Sequence, residues 1–121
     1  MIKQILIIED EKEVAEIMSI WLVRAGYRPL LADCGMDGIA MASKERPNLI
    51  ILDLMMPGMG GFEVLDRLKS DNMTKFIPVI ISTGKADSDF IFKAQELESA
   101  DYIIKPFKSQ ELLDMVKRHA I

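Results

Sequence analysis

The sequence predicts an α/β domain: a doubly wound, five-stranded parallel sheet with helices on both faces. Three observations predict it. Ile5 to Ile8, Leu49 to Leu52 and Val79 to Ile81 are continuous apolar runs rich in isoleucine, each followed at once by a polar residue. Strands buried on both faces of a parallel sheet read this way, whereas half-exposed strands alternate. Stretches with helical spacing lie between the runs, and strand alternates with helix about five times, the pattern of βαβ units. Right-handed crossovers and short loops then favour the strand order 2-1-3-4-5.

Taken in order, the first strand is Ile5 to Ile8. Val14, Ile17, Met18, Trp21, Leu22 and Ala25 follow with helical period, and Gly26 stands where a C-terminal cap belongs. Pro29 to Ala32 is a weaker second strand, and Leu49 to Leu52 the third. A helix runs from Phe62 to Lys69, with Phe62, Leu65 and Leu68 on one face and Gly60 and Gly61 ahead of it. Val79 to Ile81 is the fourth strand, and a helix begins near Ser88. Tyr102 to Ile104 is the fifth strand. The last helix follows Ser109, burying Leu112, Leu113 and Val116 and turning Glu111 and Lys117 to water.

Composition narrows the function classes. The 121 residues are 50% hydrophobic and 28% charged, an ordinary globular mix long enough for one core. Residues 1–121 are expected to form a single domain with no effector domain. Nineteen acids against fifteen bases give −4, which argues against direct contact with nucleic acid. The lone Cys34 allows no internal disulfide, and no apolar run approaches a membrane span or a signal peptide. The expected setting is the cytoplasm, away from the membrane.

In such a sheet, ligands bind beyond the carboxyl ends of the strands. The first strand delivers Glu9, Asp10 and Glu11 there, the third Asp53, the fourth Ser82, Thr83 and Gly84, and the fifth Lys105 and Pro106. Clustered carboxylates repel one another, and a hard divalent cation or the Lys105 ammonium can compensate. A carboxylate so placed can attack a phosphoryl group and form an acyl phosphate, with positive charge neutralising the transferred oxygens. Singly, each residue has a plainer role: an acidic first helical turn, loop hydroxyls, a solvated lysine. Their shared position at strand ends is what singles them out.

Asp10 after a β-run, the stretch from Leu49 through Asp53 to Pro57 and Gly58, then Thr83, then Tyr102-Ile103-Ile104-Lys105-Pro106-Phe107 resemble the receiver domain of bacterial two-component response regulators. The resemblance spans the whole chain and implies a flavodoxin-like fold. It implies that Asp53 accepts the phosphoryl group from a sensor histidine kinase or phosphotransfer protein. Glu9, Asp10, Asp53 and the backbone carbonyl of Met55 would hold Mg²⁺, or Mn²⁺ in its place, with Asp10 bound directly. Lys105 would grip the phosphoryl group, and its peptide bond to Pro106 would be cis. Thr83 and Tyr102 match the family's switch pair. The implied role is regulatory rather than enzymatic, with autophosphorylation and autodephosphorylation as its chemistry, and the protein a monomer or a phosphorylation-dependent dimer. The downstream protein is not named by the sequence.

Five positions depart from the family pattern or vary within it. Glu9 stands where Asp is commoner, and Gly60 where an acid is frequent. Glu98 occupies the usual glycine that ends the fourth helix, so it must take a left-handed conformation or end the helix differently. Lys85 and Met55 fall where the family varies phosphoryl lifetime. A Mg²⁺-dependent phosphohydrolase with an aspartyl nucleophile is the main rival, but Met55 replaces the acid such an enzyme needs two residues on. A flavin module is disfavoured because Glu9, Asp10 and Glu11 would repel its phosphate.

Phe90, Ile91 and Phe92 point in different directions on a helix and cannot all be buried, so one of them is expected half exposed; the resemblance implies a partner surface around this helix, the fifth strand and the last helix. Most methionines are read as core, with Met55, Met56 and Met59 walling the site. His119 is expected at the surface without a partner, Cys34 as a half-buried small residue, and Trp21 away from Asp53.

Overall fold

The computed structural model describes residues 1–84 and 88–121. Five strands and five helices alternate: β1 Gln4–Ile8, α1 Lys12–Arg24, β2 Arg28–Ala32, α2 Gly35–Glu45, β3 Leu49–Asp53, α3 Gly61–Ser70, β4 Val79–Thr83, α4 Ser88–Glu96, β5 Asp101–Ile104 and α5 Ser109–His119. The strands form one parallel sheet in the order β2-β1-β3-β4-β5, as expected. Among the described residues, no helix is long and apolar enough to cross a membrane.

The sheet splits the core in two. Ile5, Ile7, Leu49, Ile51, Ile80 and Ile103 pack against Ala15, Met18 and Leu22 of α1 and Leu112 and Val116 of α5. Leu6, Ile8, Ile50, Leu52, Val79 and Ile81 pack against α2, α3 and α4 through Ala42, Val64, Leu65, Leu68 and Ala94. Burial on both faces explains the unbroken apolar runs. β2 is an edge strand, which is why it tolerates Pro29.

Helix ends follow their local chemistry. Gly26 takes φ 92° just past α1, a conformation glycine reaches without strain. Glu98 adopts φ 65° after α4, and the Ser99 N–H reaches back 3.0 Å to Ala94 O. The chain therefore ends α4 with a left-handed residue even without glycine. The Ala100 N–H then bonds Val79 O at 2.8 Å and leads into β5.

α1 buries a narrower stripe than its period suggested: Ile17 is exposed and Trp21 half-buried, because Ala15 shares the buried face with Met18 and Leu22. β4 extends two residues beyond Ile81, so Ser82 and Thr83 are buried strand residues and not loop hydroxyls.

Candidate functional site

The carboxyl ends of β1, β3, β4 and β5 bring the expected residues together. Asp53 ends β3 and Thr83 ends β4, both buried, while buried Glu9 follows β1 and Lys105 follows β5. The Lys105 ammonium lies 2.6 Å from Glu9 Oε1 and 3.5 Å from Asp53 Oδ1. The backbone fixes these positions: Glu9 N–H donates to Ala32 O at 3.0 Å, and Lys105 N–H to Thr83 O at 2.7 Å. The Met55 N–H donates to Asp53 Oδ1 at 3.3 Å, and the Glu11 N–H to Glu9 Oε2 at 3.2 Å.

Gly61 opens α3 hard against the same strand end. A Cβ there would meet Leu54 Cα at 2.6 Å and Asp53 O at 2.7 Å, so only glycine lets the helix start this close. The Lys105–Pro106 peptide bond is cis, as the resemblance implied.

Burial pushes the Glu9 carboxyl up to about 7; its hydrogen bond to Lys105 opposes the rise and neighbouring Asp53 adds to it. Burial works against the Lys105 ammonium, yet the Glu9 hydrogen bond and the charges of Asp53, Glu9 and Glu11 outweigh it and raise its pKa. One lysine thus faces two buried acids, with Asp10 beside them.

The residues fit a divalent cation. Glu9, Asp10 and Asp53 each offer a carboxylate oxygen, and these oxygens lie within 4.8 Å of one another. Asp10 Oδ1 is buried with no hydrogen-bond partner among the described protein groups, a cost that a hard cation bound by oxygen ligands removes.

Strand alternation sorts the remaining residues by face. Thr83 falls on the side of Ile81 and Tyr102, and Tyr102 packs half-buried against the α2–α4 core. Asp53 and Ser82, paired in register, share the opposite side with Ile51 and Ile80. Met56 is buried, Met59 half-buried and Met55 exposed, so Met55 does not seal the site. Lys85 lies outside the described residues.

Phe90 and Ile91 are half-buried and Phe92 is 62% exposed, with Ala94 and Leu97 continuing the inner stripe. Phe90 stacks on Phe62 of α3 at 5.7 Å and 7°, and the Lys93 ammonium sits 4.6 Å from the Phe62 ring.

Trp21 lines, with Glu11, Val14, Ile17, Met18, Lys105, Pro106 and Phe107, a groove of about 390 Å³ that does not include Asp53, and it meets Phe107 edge-on at 6.1 Å. Helix α1 thus packs against the loop that carries Lys105, which a one-dimensional reading cannot show. One expectation is corrected: His119 is half-buried with a partner, its Nε2 2.9 Å from Asp101 Oδ2.

Residues 5–117 match the family model of the response regulator receiver domain. The chain is 39% identical over 115 residues to the phosphate regulon transcriptional regulatory protein PhoB of Pseudomonas aeruginosa, covering 95% of this chain and 50% of that protein. It is 38% identical over 114 residues to the DNA-binding dual master transcriptional regulator RpaA of Synechocystis, covering 94% of this chain and 47% of that one. The chain thus spans about half the length of the curated relatives it matches. Among solved structures, the chemotaxis protein CheY4 of Vibrio cholerae superposes with a TM-score of 0.94 at 27% identity, covering 98% of this chain and 99% of that one. The fold, the clustered carboxylates beside Lys105 and these matches agree: the chain belongs to the response regulator receiver domain family, the phosphoacceptor switches of two-component systems.

Proposed function

We propose that Asp53 is the phosphoacceptor of this receiver and that a sensor histidine kinase or histidine phosphotransfer protein supplies the phosphoryl group. The observation that carries this reading is a buried Asp53 at the end of β3 with the Lys105 ammonium 3.5 Å away and two further acids beside it. Glu9, Asp10, Asp53 and the backbone carbonyl of Met55 would hold Mg²⁺, with Mn²⁺ as a substitute. The cation would neutralise the phosphoryl oxygens and the crowded carboxylates.

The chain's own residues do the rest. An Asp53 carboxylate oxygen attacks phosphorus in line as the bond from phosphorus to the donor's histidine nitrogen breaks, its electron pair leaving with the imidazole, and Lys105 follows the charge from the carboxylates to the phosphoryl oxygens. Thr83 donates its hydroxyl to a phosphoryl oxygen. Tyr102, on the same sheet face, turns into the space this movement opens, biasing a two-state element that other proteins read. Phe90, Ile91 and Phe92 on α4 contribute to the reading surface. Residues 1–121 act as one receiver unit in the cytoplasm, monomeric or dimerising on phosphorylation, and their own acidic balance leaves nucleic-acid contact to other parts or partners. Its acceptor chemistry, including autodephosphorylation, serves regulation. The exposed thioether of Met55 offers no proton where a phosphohydrolase would need one.

The test is to treat the protein with acetyl phosphate and Mg²⁺, reduce the product with borohydride and map the peptides. Conversion of residue 53 to homoserine marks an acyl phosphate there. Phosphate carried on any other residue, with residue 53 unchanged, contradicts the assignment.

A further inference from the structure

Ser82 is wholly buried in β4, and its Oγ has no hydrogen-bond partner among the described protein groups. An unpaired hydroxyl in a core lowers stability, and an alanine in the same space carries no such penalty. Its surroundings give the hydroxyl a use. Ser82 is in register with Asp53 on β3 and with Ile103 on β5, and residues paired in register on parallel strands share a face. Ser82 therefore stands beside Asp53, to which Lys105 is paired at 3.5 Å, whereas Thr83 lies on the other face. Neighbouring strands run about 4.8 Å apart, which a hydroxyl and a carboxyl can bridge by rotating about χ1.

In the carboxylate form, Asp53 Oδ1 already faces the Met55 N–H and the Lys105 ammonium. Once Lys105 moves to phosphoryl oxygens, the Asp53 carboxyl loses that cation. We propose that Ser82 Oγ then donates a hydrogen bond to the Asp53 carboxyl oxygen that bears the phosphoryl group, and that this bond shortens the lifetime of the phosphorylated state. The inference rests on Asp53 being the acceptor.

During hydrolysis a water oxygen bonds to phosphorus and the bond from phosphorus to the Asp53 oxygen breaks. Its electron pair stays on the carboxylate, and both water hydrogens leave with inorganic phosphate. Negative charge grows on the departing carboxylate oxygen in this loose transition state. A donor aimed there binds the transition state more strongly than the acyl phosphate and so accelerates the loss.

The experiment phosphorylates wild type, Ser82→Ala and Ser82→Thr with acetyl phosphate and Mg²⁺, removes the donor, and follows the adduct by intact mass. Urea midpoints of the unmodified proteins are measured alongside. Ser82→Ala is expected to raise the midpoint and lengthen the adduct half-life about 3- to 10-fold. Ser82→Thr keeps the hydroxyl and is expected to hold the half-life near wild type. An adduct half-life in Ser82→Ala within about twofold of wild type, with only the midpoint changed, reduces Ser82 to a packing residue and overturns the inference alone. Absence of any adduct on folded wild type overturns the phosphoacceptor reading, and this inference with it.

Discussion

Burial holds the Glu9 carboxyl at about 7, so the folded chain keeps a proton there that an unfolded glutamate has already released. Between the ordinary value of 4.5 and about 7 the native state binds more protons than the unfolded one. Stability contributed by this group is therefore complete below that window and declines as pH rises through it. With divalent cations chelated, the urea midpoint should fall across this range, and Glu9→Gln should flatten the fall. An identical slope in the variant would show that another group is titrating. Gly61 gives a second test at this scale. Gly61→Ala forces a Cβ into the backbone of Leu54 and Asp53 and should cost about 1–3 kcal/mol by denaturant titration. Gly60, with open space at its Cβ position and φ −71°, should accept alanine with little change. Equal losses at the two glycines would contradict the crowding at Gly61.

Among the helices, α4 has the lightest anchorage, since Ala94 is its one fully buried residue among those described. The Phe62–Phe90 stack and the Lys93 ammonium over Phe62 tie it to α3, an aromatic contact of about 0.5–1.5 kcal/mol beyond area burial. Phe62→Ala should speed amide exchange in residues 88–97 while leaving the central strands protected. Unchanged exchange in α4 would show that the stack does not hold it. Across the molecule, Trp21 of α1 shares a groove with Lys105 and Phe107. Its fluorescence should change on phosphorylation, and a silent Trp21 would mean that the Lys105 loop stays in place. The strands were legible because burial on both faces leaves unbroken isoleucine-rich runs, and their ends located Asp53, Asp10 and Lys105. Helix α2 was not assigned, because its packing relies on missing side chains: Gly38 lies where a Cβ would meet Ile8 at 2.5 Å, and Gly35 where one would meet Val64 at 2.6 Å. Ile39, Met41 and Ala42 complete the face beside these glycines. Ser82 breaks the apolar run, although the strand continues through it. The Asp101–His119 pair joins β5 to the end of α5, a contact that one-dimensional spacing does not encode.

At the scale of the whole molecule, the sheet gathers residues from positions 9 to 105 at one edge and surrounds them with two packed layers. The far end is tied as well. Asn48 Oδ1 accepts from the Gln4 N–H at 2.8 Å, and its Nδ2 donates to Ile121 O at 2.7 Å. A cation bound to the native carboxylates stabilises the fold by mass action. Millimolar Mg²⁺ should therefore raise the thermal midpoint of wild type and raise it less in Asp10→Asn; equal rises would remove Asp10 from the cation site. The most direct test of the account is the intact mass of the protein after brief acetyl phosphate treatment, with Mg²⁺ or with chelator, beside Asp53→Ala. The account predicts a single phosphoryl adduct on wild type that requires the cation and is absent from the variant. An adduct that persists in Asp53→Ala, or no adduct on folded wild type at times short enough to outrun hydrolysis, would contradict it.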